Sequence, residues 1–140
     1  MPTERTVLRV MYDDNNIYFG VYAYDSNPDA VIVRSMSRDG EVNQGDHIEI
    51  TLDPGLTLRN AYTFRIGPSG GRWDGLRLNN VQELAEWNTI WTARSKRTAD
   101  GWTAEMSIPF RDLSFDRVQR IERAHRLLEH HRDVAPARRA

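Results

Sequence analysis

The sequence contains no cysteine, so disulfide bonds and thiolate metal sites are excluded. No apolar run approaches the ~20 residues that a membrane-spanning helix needs. Residues 1–5 are polar and lead directly into a strand pattern, so we expect no signal peptide within this chain. Any export signal is expected upstream of it.

Catalytic motifs are also missing. The sequence has no Gly-x-Ser-x-Gly elbow, no phosphate-binding loop, no His-Glu-x-x-His pair and no EF-hand loop. His47 stands alone in a strand pattern, where a structural role is the usual one. Carboxylates are plentiful, so their number does not exclude a glycosidase acid pair. We predict a chain that is not itself an enzyme.

The net charge is small, −1, which argues against nucleic-acid binding by the whole chain. The charge is unevenly spread, because residues 1–116 carry a net of −5 and residues 117–140 a net of +4. Seven arginines and three of the four histidines fall in that last stretch. This shift predicts two regions, a globular domain over 1–116 and an Arg-rich tail over 117–140.

Alternation of apolar and polar residues dominates the first region and predicts strands. We expect strands at residues 6–12, 17–24, 31–36, 47–53, 61–66, 90–95 and 102–108. Residues 67–75 contain four glycines and one proline and are predicted as a loop, whereas residues 81–88 are ambiguous. Strands at this spacing predict an all-β antiparallel sandwich rather than βαβ units.

Helical spacing replaces the alternation in the tail. Val118, Ile121, Ala124, Leu127 and Leu128 recur with Arg, Glu and His between them. This pattern predicts an amphipathic helix within residues 117–132.

Five segments together resemble a known family. They are YDDNNIYFGV at 12–21, YDSNPD at 24–29, GDHIEITLD at 45–53, NAYTF at 60–64 and DGWTAEMSIPFRDLSF at 100–115. In order and spacing they resemble the family 9 carbohydrate-binding-module-like domain, in the version found at the N-terminus of large exported bacterial proteins. The resemblance covers roughly residues 3–116.

The resemblance implies a jelly-roll or immunoglobulin-like sandwich. Members begin with an earlier strand and continue into further strands past the Ile-Pro-Phe segment, so this chain resembles a truncated fragment with open sheet edges. It also implies a secreted, periplasmic or outer-membrane-associated parent protein, with neighbouring domains and with a polysaccharide or oligosaccharide as partner.

Tryptophans are the candidate sugar platforms, because aromatic rings stack on the apolar faces of pyranose rings. Trp91 and Trp102 lie in alternating strands and are predicted in the core. Trp73 lies in the glycine-rich stretch and Trp87 just before a strand, so both are candidates for ligand contact or for packing. Asp74 and Asn88 stand beside them and are candidate hydrogen-bond partners for sugar hydroxyls.

Acidic loop residues are candidates for a structural Ca²⁺, which prefers carboxylate and carbonyl oxygens. Calcium-binding members of the resembled family support this, whereas turn capping is the ordinary role of such residues. The candidate ligands are Asp25, Asp29, Asp46, Glu49 and Asp53.

Three functions remain open from the sequence. The first is a non-catalytic carbohydrate-binding module of an exported protein that binds or breaks down polysaccharide. The second is a structural or docking sandwich attached to an outer-membrane or enzyme domain, without sugar binding. The third, less favoured, is part of a glycoside hydrolase.

Overall fold

The computed structural model describes residues 4–33, 36–38, 40–85, 87 and 89–113. Short 3₁₀ turns lie at Pro28–Ala30, Val42–Gln44 and Phe110–Leu113. The remaining regular structure in this part of the chain is strand. In chain order the strands are β1 (Thr6–Tyr12), β2 (Asn16–Tyr24), β3 (Ile48–Leu52), β4 (Ala61–Ile66), β5 (Arg72–Leu78), β6 (Gln82–Leu84), β7 (Thr92–Thr98) and β8 (Gly101–Pro109).

The strands form two antiparallel sheets of four strands each. The first sheet has the order β1-β2-β8-β7, and the second has the order β3-β4-β5-β6. The second sheet is a simple meander, whereas in the first sheet β8 inserts between β2 and β7. This confirms the predicted all-β antiparallel sandwich.

One hydrophobic core lies between the sheets. Alternation along each strand sends every second side chain inward, as the burial of Ile17, Phe19 and Val21 on β2 shows. From the second sheet Phe64 and Ile66 contribute side chains with no exposed surface. Trp91 and Trp102 are 2% and 5% exposed, so their predicted place in the core is confirmed.

Most predicted strands are present at their expected places. β2, predicted at 17–24, begins one residue earlier, at Asn16. The strand predicted at 90–95 lies instead at Thr92–Thr98. The ambiguous stretch 81–88 contains the short strand β6.

Two predictions are wrong. The loop predicted at 67–75 ends early, since β5 begins at Arg72. The strand predicted at 31–36 is not formed by residues 31–33 or 36. There the backbone of Ile32 exchanges bonds with Asp46, whose Oδ2 accepts from the Ile32 N–H at 2.7 Å and whose own N–H donates to the Ile32 carbonyl. These local partners replace a strand ladder.

The tail predicted as a helix within 117–132 lies outside the described residues. In the part of the chain that is described, no helix is long and apolar enough to cross a membrane.

Candidate functional site

A tryptophan lies on the outer face of the second sheet. On β5, Trp73 and Gly75 point outward and Asp74 between them points to the core. A Cβ added at Gly75 would lie 2.4 Å and 2.7 Å from two carbon atoms of the Trp73 ring, so the ring lies over the glycine. Glycine therefore leaves the room that the ring needs against the sheet, while part of Trp73 stays exposed.

An arginine supports this ring. Arg65 on β4 is the direct cross-strand partner of Trp73, and its guanidinium carbon lies 4.4 Å from the ring centroid. A cation at this distance is attracted to the π face of the indole. Arg65 is 7% exposed, so the contact is largely shielded from water.

Two glutamates hold the arginine in place. Arg65 donates through Nε to Glu49 on β3 at 2.7 Å and through two nitrogens to Glu83 on β6, at 2.5 and 3.2 Å. Arg77 on β5 connects the two glutamates a second time, because its Nη2 lies 3.1 Å from a carboxylate oxygen of Glu49 and 2.9 Å from one of Glu83. The result is a four-residue charge network across all four strands of the sheet.

The turn between β5 and β6 places one of these glutamates. Asn79 and Asn80 have positive φ angles of 51° and 61°, a conformation that asparagine tolerates better than most residues. The turn sets Glu83 directly opposite Arg77 in the ladder. The charge network thus depends on the asparagines of the hairpin.

The network keeps both glutamates ionised. Hydrogen bonds from Arg65 are the largest influence on Glu83 and lower its pKa. Burial raises the pKa of Glu49, but the bonds and charges of Arg65 and Arg77 outweigh it and leave the pKa below its ordinary value. The face therefore presents two carboxylates and two guanidiniums around an indole ring.

Trp87 lies elsewhere. It packs against the inner face of the second sheet, with its ring centroid 4.8 Å from that of Tyr62 and 6.0 Å from that of Phe64. It is half-buried and contacts the core. The structure therefore does not bring Trp73 and Trp87 to one groove, because they lie on opposite faces of the sheet.

Asp74 has a structural environment. Its side chain has no exposed surface, and its oxygens accept from the Trp91 indole N–H at 3.0 Å and the Thr89 backbone N–H at 2.9 Å. Arg38 lies 3.4 Å away. A sugar on the outer face cannot reach this carboxylate, so the expected role of Asp74 as a direct sugar ligand finds no support in its position. Asn88 lies outside the described residues.

The predicted calcium ligands are not brought together. Among the described residues, no group of three or more acidic or histidine side chains could hold a metal ion. Asp53 accepts from the backbone of Leu58 at 2.6 Å and lies 3.4 Å from the Thr57 hydroxyl, which is the bonding of a turn.

The other candidate ligands have similar local roles. Asp25 accepts from the backbone N–H of Asn27 at 2.7 Å, and Asp46 holds the loop at residue 32. Glu49 belongs to the charge network, and Asp29 lies exposed in a 3₁₀ turn. These five residues do not fit a calcium site as they stand, and calcium remains a prediction from family resemblance.

Sequence reasoning missed the charge network. The sequence pattern indicates Glu49 only as a metal ligand and indicates no role for Arg65, Arg77 or Glu83. A usable signal was present, because opposite charges occupy the outward positions of consecutive hairpin strands. It depends on register, which is fixed only once β5 is recognised as a strand.

The chain matches a known protein family. Its sequence matches the family described as "Carbohydrate family 9 binding domain-like" over residues 3–125. The chain therefore belongs to this family, as its motifs had indicated. No curated protein sequence matches the chain.

Two solved structures share the fold. A Bacteroides uniformis protein provisionally described as carbohydrate-binding superposes with a TM-score of 0.64 and 13% identity, over 78% of this chain and 54% of that one. A family 9 carbohydrate-binding module from Caldicellulosiruptor kristjanssonii, solved with cellotriose, superposes with a TM-score of 0.54 and 19% identity, over 78% of this chain and 50% of that one. The chain spans about half the length of each solved chain it matches.

Proposed function

We propose that this chain is a non-catalytic glycan-binding module of an exported protein that binds or breaks down polysaccharide, and that the outer face of its second sheet carries the site. The observation that carries the proposal is the partly exposed Trp73 ring, which lies over Gly75 and contacts Arg65. Membership of a carbohydrate-binding family supports it.

The surroundings of the ring suit a sugar. An indole face offers a surface for the C–H groups of a pyranose, and hydroxyls need donors and acceptors beside it. Arg77 makes its two ion pairs through Nη2 alone, so its Nε and Nη1 are uncommitted within the described part of the chain. Glu49 and Glu83 have acceptor capacity beyond the bonds they already make.

The protonation state of Glu49 and Glu83 favours sugar binding over hydrolysis on this face. A glycosidase needs one carboxylic acid with a raised pKa that protonates the leaving oxygen. Glu49 and Glu83 instead have lowered pKa values, because both bind arginine. This supports the proposal that the face binds sugar without cleaving it.

The location of the parent protein belongs to the same proposal. We place it outside the cytoplasm, secreted, periplasmic or attached to the outer membrane. Family membership supports this, since polysaccharides are encountered outside the cytoplasm.

Calorimetry with cellotriose and xylotriose on the parent chain, Trp73→Ala and Trp73→Phe tests the site. We expect weak binding by the parent, loss of at least tenfold in Trp73→Ala, and partial retention in Trp73→Phe, which keeps an aromatic face. Trp87→Ala is the matched control, and after correction for stability it should bind as the parent does.

Two results would contradict the proposal. Equal affinity of the parent and Trp73→Ala would remove the ring from the site. No heat with any neutral or acidic glycan, from a protein that is folded by circular dichroism, would favour the docking function instead.

A further inference from the structure

The outer face of the first sheet has an open groove. On β2, Tyr18, Gly20 and Tyr22 point outward, because Phe19 and Val21 between them are buried in the core. All four strands of this sheet contribute lining residues to the groove. Gly20 lies at its floor, between the two tyrosines.

The glycine has no packing contact with the described part of the chain. A Cβ added at Gly20 would have no heavy atom of the described residues within 4 Å. Glycine inside a strand is unfavourable, and it usually marks a bulge or a close approach by a backbone or a ligand. The ladders on both sides run without interruption, with Gly20 opposite Arg9 and Glu105, so no bulge is present. With respect to the described residues, close approach by a ligand is an explanation that fits this glycine.

The tyrosines are fixed as walls. Tyr18 donates its hydroxyl to Asp13 at 2.6 Å, in the turn before β2. Tyr22 donates to Asp100 at 2.6 Å, at the opposite end of the strand. Each ring is thus tied away from Gly20, and the space between the rings stays open.

Charged side chains lie in the same row as the glycine. Arg9, Glu105 and Arg94 follow one another across β1, β8 and β7 on either side of Gly20. All three are exposed, as is the neighbouring Lys96. None of the four makes a side-chain hydrogen bond or ion pair with the described residues. Arg9, Arg94 and Glu105 line the groove, which therefore has two uncommitted cations and one uncommitted carboxylate.

We propose that this groove is a second saccharide site, for an oligosaccharide of uronic acids, distinct from the Trp73 face. The tyrosine rings would border the sugar, the floor at Gly20 would let a pyranose approach the sheet, and Arg9 and Arg94 would bind its carboxylates. Glu105 would accept from hydroxyls. The proposal shares with the proposed function only the premise that the chain binds glycans.

The groove can be filled without disturbing the fold. Gly20→Val adds a β-branched side chain to a strand, in space that the described residues leave empty. Calorimetry with trigalacturonic acid should show binding by the parent and loss of at least tenfold in Gly20→Val. Arg94→Gln should weaken it several-fold and lower its sensitivity to salt.

A crossed design separates this proposal from the proposed function. Gly20→Val should bind cellotriose as the parent does, and Trp73→Ala should bind trigalacturonate as the parent does. Cellotriose binding without trigalacturonate binding would overturn the groove and leave the Trp73 site intact. Trigalacturonate binding without cellotriose binding would overturn the Trp73 site and leave the groove intact.

Two further outcomes would overturn the groove. One is equal trigalacturonate affinity in the parent and in Gly20→Val, both folded by circular dichroism. The other is equal binding of tripolyphosphate, because it would show charge attraction without sugar recognition. If Gly20→Val fails to fold, an unchanged affinity in Arg94→Gln contradicts the proposal instead.

Discussion

At the residue scale, Asp74 connects β5 to the segment that precedes β7. Its carboxylate satisfies the indole N–H of Trp91 and the backbone N–H of Thr89, both of which are buried. Buried donors without an acceptor are costly, because water cannot replace the lost partner. Asp74 therefore stabilises β5 from the core side of the sheet, while its neighbour Trp73 lies on the outer face.

We predict that Asp74→Ala lowers the free energy of unfolding by on the order of 3 kcal/mol, because it leaves two buried donors unpaired. Asp74→Asn should cost less, since its carbonyl still accepts from Trp91. Urea denaturation measures both. Asp29→Ala is the control, because Asp29 is exposed and surface changes usually stay within about 0.5 kcal/mol. Similar losses in the two alanine variants would contradict the assigned role.

Single residues were predictable where a regular pattern surrounds them. The alternation around Trp91 and Trp102 predicts that both lie in the core, and the structure confirms it. The glycines around Trp73 predict a loop. Gly75, however, serves the packing of the ring rather than a turn, and composition alone does not distinguish these two uses of glycine.

At the element scale, strands whose outward and inward residues differ clearly were predicted well. The bounds of β1 and β4 agree residue for residue with the expectation. β5 was missed because its inner face carries the charged Asp74 and its outer face carries Gly75, which reverses the usual pattern. The strand expected at 31–36 failed because only Val31 among its described apolar residues is buried, at 7% exposed, whereas Ile32 and Met36 are 49% and 76% exposed.

The charge network makes the second sheet sensitive to acid. Glu49 and Glu83 have folded-state pKa values below their ordinary value, so they stabilise the fold above that value. This stability should be lost as the pH falls from the ordinary pKa of 4.5 through the lowered folded-state values. We predict that the melting temperature drops more steeply below pH 4.5 in the parent than in Glu49→Gln/Glu83→Gln.

The comparison between parent and double variant is the measurement, because other carboxylates also titrate there. Asp13 and Asp100 have lowered pKa values through hydrogen bonds from Tyr18 and Tyr22, and they contribute equally to both proteins. Parallel melting curves from pH 7 to pH 3 would show that the network adds no pH-dependent stability.

At the scale of the whole molecule, the two sheets carry separate surfaces and share one core. The outer face of the second sheet has the Trp73 platform, and the outer face of the first has the Gly20 groove. Between them, the core joins residues of both sheets, with Phe64 and Ile66 on one side and Met106 and Ile108 on the other. Trp73 is a candidate from the sequence, but the residues around it and the Gly20 groove could not be predicted, because they depend on which strands are neighbours.

Trp102 tests whether the sheets unfold as one unit. It lies on the inner face of β8, is 5% exposed and belongs to the shared core. We predict that Trp102→Ala lowers the free energy of unfolding by about 3–5 kcal/mol, since the remaining side chains cannot fill the space of an indole. Because the core is shared, the loss should also appear in amide hydrogen exchange of β4, in the other sheet.

Trp73→Ala is the matched control for this substitution, because it removes the same side chain from an outer face. It should cost far less and leave exchange of the β8 amides unchanged. A loss in Trp102→Ala confined to the first sheet would mean that the sheets unfold separately. A melting temperature within a degree of the parent would contradict the burial of Trp102 itself.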